Sequence, residues 1–163
     1  LLFKKNQGII LRTSWLIGPV GNNFLQTMLK LHQNKKEIRV VNDQYSSPTS
    51  IFSLSNCCMK ILTKQNKVKD FENGNPRILH FSDKGVTSWY ELCEKIGLVA
   101  NKLGLIKKVA KVIPISSKEY KAKADRPRFS ALNCSNTIKL LNISNLHWCD
   151  TLEKILEIKK NSY

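Results

Sequence analysis

Short aliphatic runs alternate with amphipathic stretches along this chain. Runs at 9–11, 38–41, 78–81 and 112–115 predict strands. The first of them, Ile9-Ile-Leu11, has no polar alternation, which is typical of a strand that helices cover on both faces. Residues 44–49 and 118–128 are polar and predict loops, and 73–76 predict a turn.

Apolar residues at helical spacing predict helices between these strands. The third helix has the strongest signal because Ser88 and Glu91 form a capping box at its start and Gly104 ends it. Strands that alternate with helices predict an α/β fold. The apolar face of the first helix contains Phe24, Met28, Leu31 and His32, and that of the second contains Leu54, Cys57, Cys58, Ile61 and Leu62. The apolar face of the third helix contains Trp89, Leu92, Cys93, Ile96, Val99, Ala100 and Leu103, and that of the last contains Leu152, Ile155 and Leu156.

The stretch from residue 9 to residue 24 is the best candidate for a ligand site. Arg12-Thr-Ser-Trp15 places polar groups and one large ring at the carboxyl end of the first strand, and Asn22 or Asn23 can cap the helix that begins near Phe24. In open α/β sheets ligands bind at the carboxyl ends of strands, and helix N-termini attract phosphate. The stretch therefore predicts one wall of a site for a nucleotide-like ligand.

Composition narrows the classes of function. The chain has 163 residues and a net charge of +15, but its Lys and Arg residues are scattered, which favours a solvated surface over a nucleic-acid interface. The five cysteines form no C-x-x-C pair, so we expect free thiols in a reducing cytoplasm and neither a zinc site nor disulfides. No apolar run approaches the roughly 20 residues of a membrane span.

Catalytic motifs are absent from the sequence. It contains no G-x-G-x-x-G, no G-x-x-x-x-G-K-[ST] and no H-E-x-x-H. A Tyr-x-x-x-Lys pair would place an ammonium beside a phenol on one helix face and lower its pKa, yet the nearest pairs, Tyr90 with Lys95 and Tyr120 with Lys123, have the wrong spacing. We therefore expect no catalytic centre within this chain.

Several distinctive blocks occur in order along almost the whole chain. They are Arg12-Thr-Ser-Trp15, Gly21-Asn-Asn-Phe24 with Thr27-Met-Leu29, Val41-Asn-Asp-Gln-Tyr45 with Ser47-Pro-Thr49, Gly85-Val-Thr-Ser-Trp-Tyr90, and Arg126-Pro127 followed by Ser130 and Leu132. These blocks closely resemble the second half of the dTDP-4-dehydrorhamnose reductase family of extended short-chain dehydrogenases, although that family often has Gly where Ser46 stands.

The resemblance implies that residues 1–163 form the carboxyl-terminal, substrate-binding portion of a Rossmann-type enzyme and include the last strands and helices of its sheet. It implies that the Tyr-x-x-x-Lys and the NADPH or NADH site lie in an amino-terminal half upstream of Leu1, so that this chain alone is inactive. Trp15, Asn22, Asn23 and Arg126 are the residues expected to hold the dTDP-sugar. The resemblance leaves room for Mg²⁺ and for a homodimer, and we expect neither a nucleic-acid nor a membrane partner.

Three alternatives stay open. The chain could come from another extended short-chain dehydrogenase, such as a sugar-nucleotide epimerase or dehydratase, although the Arg-Thr-Ser-Trp and Asp-Gln-Tyr blocks argue against it. A catalytically silent regulatory subunit could share the fold. A basic nucleic-acid-binding module is the third alternative, and steep salt dependence of binding would identify it.

Overall fold

The computed structural model describes residues 9–64, 77–122 and 124–162, and the predicted turn at 73–76 lies outside them. The strands are β1 (Ile9–Arg12), β2 (Leu16–Ile17), β3 (Glu37–Val41), β4 (Tyr45–Ser46), β5 (Thr49–Ser50), β6 (Arg77–His80), β7 (Thr87–Ser88) and β8 (Lys111–Ile115). The helices are α1 (Phe24–Asn34), α2 (Ile51–Thr63), α3 (Trp89–Lys102), α4 (Ser117–Tyr120), α5 (Ser135–Leu141) and α6 (Trp148–Asn161).

Parallel pairing dominates the part of the chain that the structure describes, which confirms the predicted α/β class. β1 pairs with β6, β2 with β5 and β3 with β8, all in parallel, whereas β4 pairs with β7 in antiparallel fashion. Because parallel neighbours place their carboxyl ends at the same edge, β1 and β6 end together, with Arg12 opposite His80.

Two apolar clusters hold these pairs in place. The smaller cluster joins α2, α5 and β6 through Cys57, Leu141, Leu79 and Phe81. The larger cluster joins α1, α3 and α6 to β3, and its helical members include Leu25, Met28 and Leu29; Leu92, Cys93 and Ile96; and Leu152, Ile155 and Leu156.

The described residues cover one face of β1, whereas the sequence predicts cover on both faces. Exposure alternates along β1, where Ile10 is 38% exposed. Its register partner on β6, Ile78, is 48% exposed. The opposite face of β6 packs through Leu79 into the smaller cluster. Within the described residues these two strands therefore have one covered face only.

Three other predictions need correction. The segment 44–49 is not a continuous loop, because Tyr45–Ser46 and Thr49–Ser50 pair with β7 and β2. The loop predicted at 118–128 begins with α4, whose start carries a second capping box, Ser116 with Glu119, that the same sequence signal could have revealed. On α2, Cys58 and Leu62 are exposed, while Cys57 and Ile61 are buried.

The signals at helix starts are confirmed. Ser88 accepts a hydrogen bond from the Glu91 N–H while the Glu91 side chain accepts one from the Ser88 N–H, and the helix ends before Gly104 at φ +77°. Asn23 caps α1 by accepting from the Gln26 N–H. Ser46 adopts extended backbone in β4, so this position does not need glycine. Among the described residues, no helix is both long enough and apolar enough to cross a bilayer.

Candidate functional site

The carboxyl end of β1 is tied side by side to the segment that leads into β5. The Ser14 hydroxyl donates to the Ser47 carbonyl at 2.7 Å, and the Thr49 hydroxyl donates to the Ser14 carbonyl at 2.6 Å. The Thr49 N–H donates to the Trp15 carbonyl at 3.1 Å. These bonds fix the path of the backbone where the sequence predicts a ligand wall.

Trp15, which lies between β1 and β2, has an unusual backbone conformation. Its φ is +44°, in the left-handed region that bulky residues rarely adopt. Its ring stacks on Trp89, the first residue of α3, with the ring centroids 3.5 Å apart and the planes 15° apart. Phe24, the first residue of α1, packs against the same Trp89 ring at 4.5 Å. Three aromatic rings from three segments thus meet at one point.

Beside these rings lies a cavity of about 320 Å³ between α1, β3 and the chain that follows α4. Trp89 and Phe24 form aromatic walls, and Arg126 contributes a guanidinium at the rim. The remaining lining residues are Thr27, Met28, Leu31, Ile38, Arg39, Val40, Val41, Gln44, Tyr120 and Ala122. An apolar cleft with a few converging polar groups is the usual form of a small-molecule site.

The charge at the cavity suits an anion. Its lining contains two arginines and no carboxylate among the described residues. Arg39 is engaged by Glu119 at 3.0 Å, whereas Arg126 forms no ion pair within the described part of the chain. A guanidinium offers parallel donors that match phosphate oxygens.

The segment that carries Arg126 is fixed to the sheet just beyond it. The Tyr45 N–H donates to the Arg128 carbonyl at 2.7 Å, and the Ser130 N–H donates to the Tyr45 carbonyl at 2.9 Å. Nearby, Asp43 accepts from the Ser117 N–H and hydroxyl at 2.9 and 2.6 Å, and the hydroxyl bond is the main cause of a lowered Asp43 pKa. The two ends of the segment between α4 and residue 130 are therefore held against the loop that follows β3.

The four predicted substrate-binding residues fall into two groups. Arg126 lines the cavity, and Trp15 stacks on a ring that lines it. Asn22 is exposed, and the Asn23 amide is occupied by its cap and by donation to the Val20 carbonyl at 2.9 Å. Neither asparagine is among the described residues that line the cavity.

Sequence reasoning gave too little weight to Trp89 and did not single out Phe24 as a wall. Trp89 packs against the larger apolar cluster, as its place on the apolar face of the third helix predicts, and it also lines the cavity, as does Gln44 from the predicted loop at 44–49. The available signal was position, because each aromatic residue is the first residue of a helix that follows a strand end. Across 9–64, 77–122 and 124–162, no group of three or more His, Cys, Asp or Glu residues could hold a metal ion.

Comparison with known proteins relates this chain to a protein family. The family model described as the RmlD substrate binding domain matches residues 2–161. The spore coat polysaccharide biosynthesis protein SpsK of Bacillus subtilis is 33% identical over 94% of this chain and 48% of its own length. The dTDP-4-dehydrorhamnose reductase of Aggregatibacter actinomycetemcomitans is 32% identical over 95% of this chain and 52% of its own length.

A solved structure shows the same fold. The crystal structure of dTDP-4-dehydrorhamnose reductase from Bacillus anthracis, in complex with NADP, aligns with a TM-score of 0.74 at 32% identity and covers 92% of this chain and 48% of that one. The chain thus spans about half the length of the relatives it matches, and its fold is that of the substrate-binding part of an extended short-chain dehydrogenase. Because the family model accounts for nearly every residue, this chain belongs to the family of RmlD substrate-binding domains.

Proposed function

We propose that this chain binds the nucleotide sugar of a dTDP-4-dehydrorhamnose reductase, and that residues 1–163 act as one substrate-binding unit. The observation that carries the proposal is the cavity with Trp89 and Phe24 as aromatic walls and Arg126 at its rim. Aromatic walls suit a planar base or the apolar face of a sugar, and the guanidinium suits the diphosphate. The names of the similar proteins support dTDP-4-dehydro-L-rhamnose as the substrate.

In the complete reaction, C4 of the keto sugar would accept a hydride from NADPH or NADH and its oxygen would accept a proton, which together give dTDP-L-rhamnose and the oxidised cofactor. This chain has no glycine-rich phosphate loop and no Tyr-x-x-x-Lys, so its own residues do not form the pyrophosphate site or the proton donor. Its contribution is to bind and orient the sugar nucleotide, which is a sizeable part of catalysis. We expect the 163-residue chain alone not to oxidise NAD(P)H.

Cofactor, partners and location remain our proposals. The Bacillus anthracis relative binds NADP, which supports a nicotinamide cofactor. The five cysteines are free thiols, which supports a reducing compartment such as the cytoplasm. The homodimer and the absence of nucleic-acid partners stay predictions, as does Mg²⁺.

Calorimetric titration of dTDP into the complete natural protein tests the proposed site. We expect Arg126→Leu to weaken binding by about tenfold or more, since a charge-assisted hydrogen bond to phosphate contributes roughly 1.5–3 kcal/mol. Arg126→Lys should restore part of the loss, because an ammonium keeps the charge but not the parallel donors.

Arg128→Leu is the matched control, because Arg128 is a nearby exposed arginine that does not line the cavity. It should change the dissociation constant by less than about twofold, because solvent screens an exposed charge that lies outside the cavity. Equal effects of the two leucine variants, or tight binding of inorganic diphosphate in place of dTDP, would contradict a nucleotide site at this cavity.

A further inference from the structure

Trp15 holds a backbone conformation that its own side chain disfavours. At φ +44° the Cβ of an L-residue crowds the neighbouring backbone, and such residues persist only where the surrounding structure imposes them. The Trp15 backbone is held by the hydrogen bond that the Thr49 N–H donates to the Trp15 carbonyl. The Trp15 side chain is held by Trp89, whose ring stacks on one face of the Trp15 indole with the ring centroids 3.5 Å apart.

Trp89 is itself held rigidly. It is the first residue of α3, immediately after the Ser88 cap, and Ser88 is 2% exposed. The Glu91 carboxylate accepts hydrogen bonds from the Ser88 N–H at 2.7 Å and from the Ser88 hydroxyl at 3.0 Å. Phe24 then packs against the Trp89 ring at 4.5 Å. The Trp89 ring therefore has little freedom to rotate.

We infer that Trp89, besides forming a wall of the cavity, is a positioning residue, which holds Trp15 in its left-handed conformation and so orients the Trp15 ring toward the sugar nucleotide. The inference rests on the proposed function and deepens it, because it states which residue prepares the predicted ligand wall. It also gives the capping box of α3 a purpose in binding. The cap places Trp89, Trp89 places Trp15, and Trp15 meets the ligand without having to reorganise.

The test measures two properties of the complete natural protein and its variants. Circular dichroism in the region of the strong indole transitions reports the stacked indoles, because two such rings at 3.5 Å couple their transitions. Calorimetry with dTDP-L-rhamnose reports affinity. The variants are Trp89→Leu, Trp89→Phe, Trp15→Ala and the double variant Trp15→Ala/Trp89→Leu. Tyr90→Phe is the control, since it removes only the hydroxyl that donates to Glu94 at 2.7 Å on the same helix.

We expect the coupled signal in the wild type and in Tyr90→Phe, and its loss in Trp89→Leu and Trp15→Ala. Trp89→Leu should weaken dTDP-L-rhamnose binding by about tenfold, and Trp89→Phe should recover most of that loss because a smaller ring still stacks. In the Trp15→Ala background, Trp89→Leu should cause a smaller loss than in the wild-type background, because only the direct contribution of Trp89 as a cavity wall remains and coupled residues are not additive.

The other possible results would contradict either the inference or the proposed function. If Trp89→Leu weakens binding equally with and without Trp15, its effect does not pass through Trp15 and the inference fails. It also fails if the wild type lacks the coupled signal or if Trp89→Leu binds normally. Should Trp89→Leu not fold, Trp89→Phe must show a reduced signal and a matching partial loss of affinity. A wild type that does not bind dTDP-L-rhamnose overturns the proposed function as well.

Discussion

His32 shows at the scale of one residue how a buried polar group is fixed in this fold. Its Nδ1 accepts from the Ala110 N–H at 3.2 Å, so its Nε2 must carry the proton that is donated to the Cys93 carbonyl at 3.1 Å. A Cβ on Gly97 would meet this ring at 2.6 Å, so the glycine makes room for it. Burial lowers the His32 pKa from its ordinary 6.5, against a smaller opposing effect of the Cys93 carbonyl.

Acid should therefore destabilise the protein through His32. Below pH 6.5 the unfolded chain binds a proton at this residue while the folded chain does not, so stability falls as pH drops from about 6.5 through the lower folded pKa. His32→Gln, which keeps one donor and one acceptor, should flatten the dependence of melting temperature on pH between about pH 7 and pH 5.

His147→Asn is the control for this prediction. His147 is exposed and caps α6 by accepting from the Cys149 N–H, and asparagine is a good N-cap. This variant also removes one imidazole, so an equal flattening in both variants would contradict a specific effect of His32. Burial raises the pKa of Asp83, which acts in the opposite direction because stability is then lost as pH rises above 3.8; this contribution is common to all three proteins. A wild-type slope in His32→Gln would contradict the assignment.

The two capping boxes allow a comparison at the scale of the element. Both have the reciprocal pair of bonds, at Ser88 with Glu91 and at Ser116 with Glu119. The first begins the 14-residue α3, which buries Leu92, Cys93 and Ile96, while the second begins the four-residue α4, which buries no residue. The same pair of capping bonds thus begins one helix that packs in the core and one that lies at the surface.

Ser88→Ala should lower the free energy of unfolding by about 1 kcal/mol, the usual cost of an N-cap, and the melting temperature by about 2–4 °C. Ser116→Ala should change the free energy by less than about 0.5 kcal/mol, because α4 can fray without opening the core. Denaturant unfolding of both variants measures the difference. A larger loss from Ser116→Ala would show that α4 contributes to the core after all.

On the scale of the whole molecule, the described residues leave one face of the parallel pair β1 and β6 uncovered. Ile10 and Ile78 lie opposite each other and are both exposed, although parallel sheets are normally covered on both faces. Since the chain spans about half the length of its relatives, we propose that further strands or helices of the complete protein pack on this face.

Ile78→Lys should then have opposite effects in two settings. In the isolated 163-residue chain it should raise solubility, because it breaks an exposed apolar patch. In the complete protein it should lower the melting temperature, because a charge would be buried without a partner. Leu98→Lys, on the exposed side of α3 at 61% exposure, is the control and should change little in either setting. Unchanged stability of the complete Ile78→Lys protein would show that this face stays in solvent.

The sequence by itself determined the local features of this protein. Four strands, the start of α1 at Asn23 and the box at Ser88 follow from signals within one or two helical turns, and blocks such as Arg12-Thr-Ser-Trp15 were enough to indicate the family. Only the tertiary structure decided that Trp89 backs Trp15 and shares a cavity with Arg126. Periodicity places a residue on a face of its own element, whereas a cavity depends on which faces of distant elements meet, and no local pattern encodes that pairing.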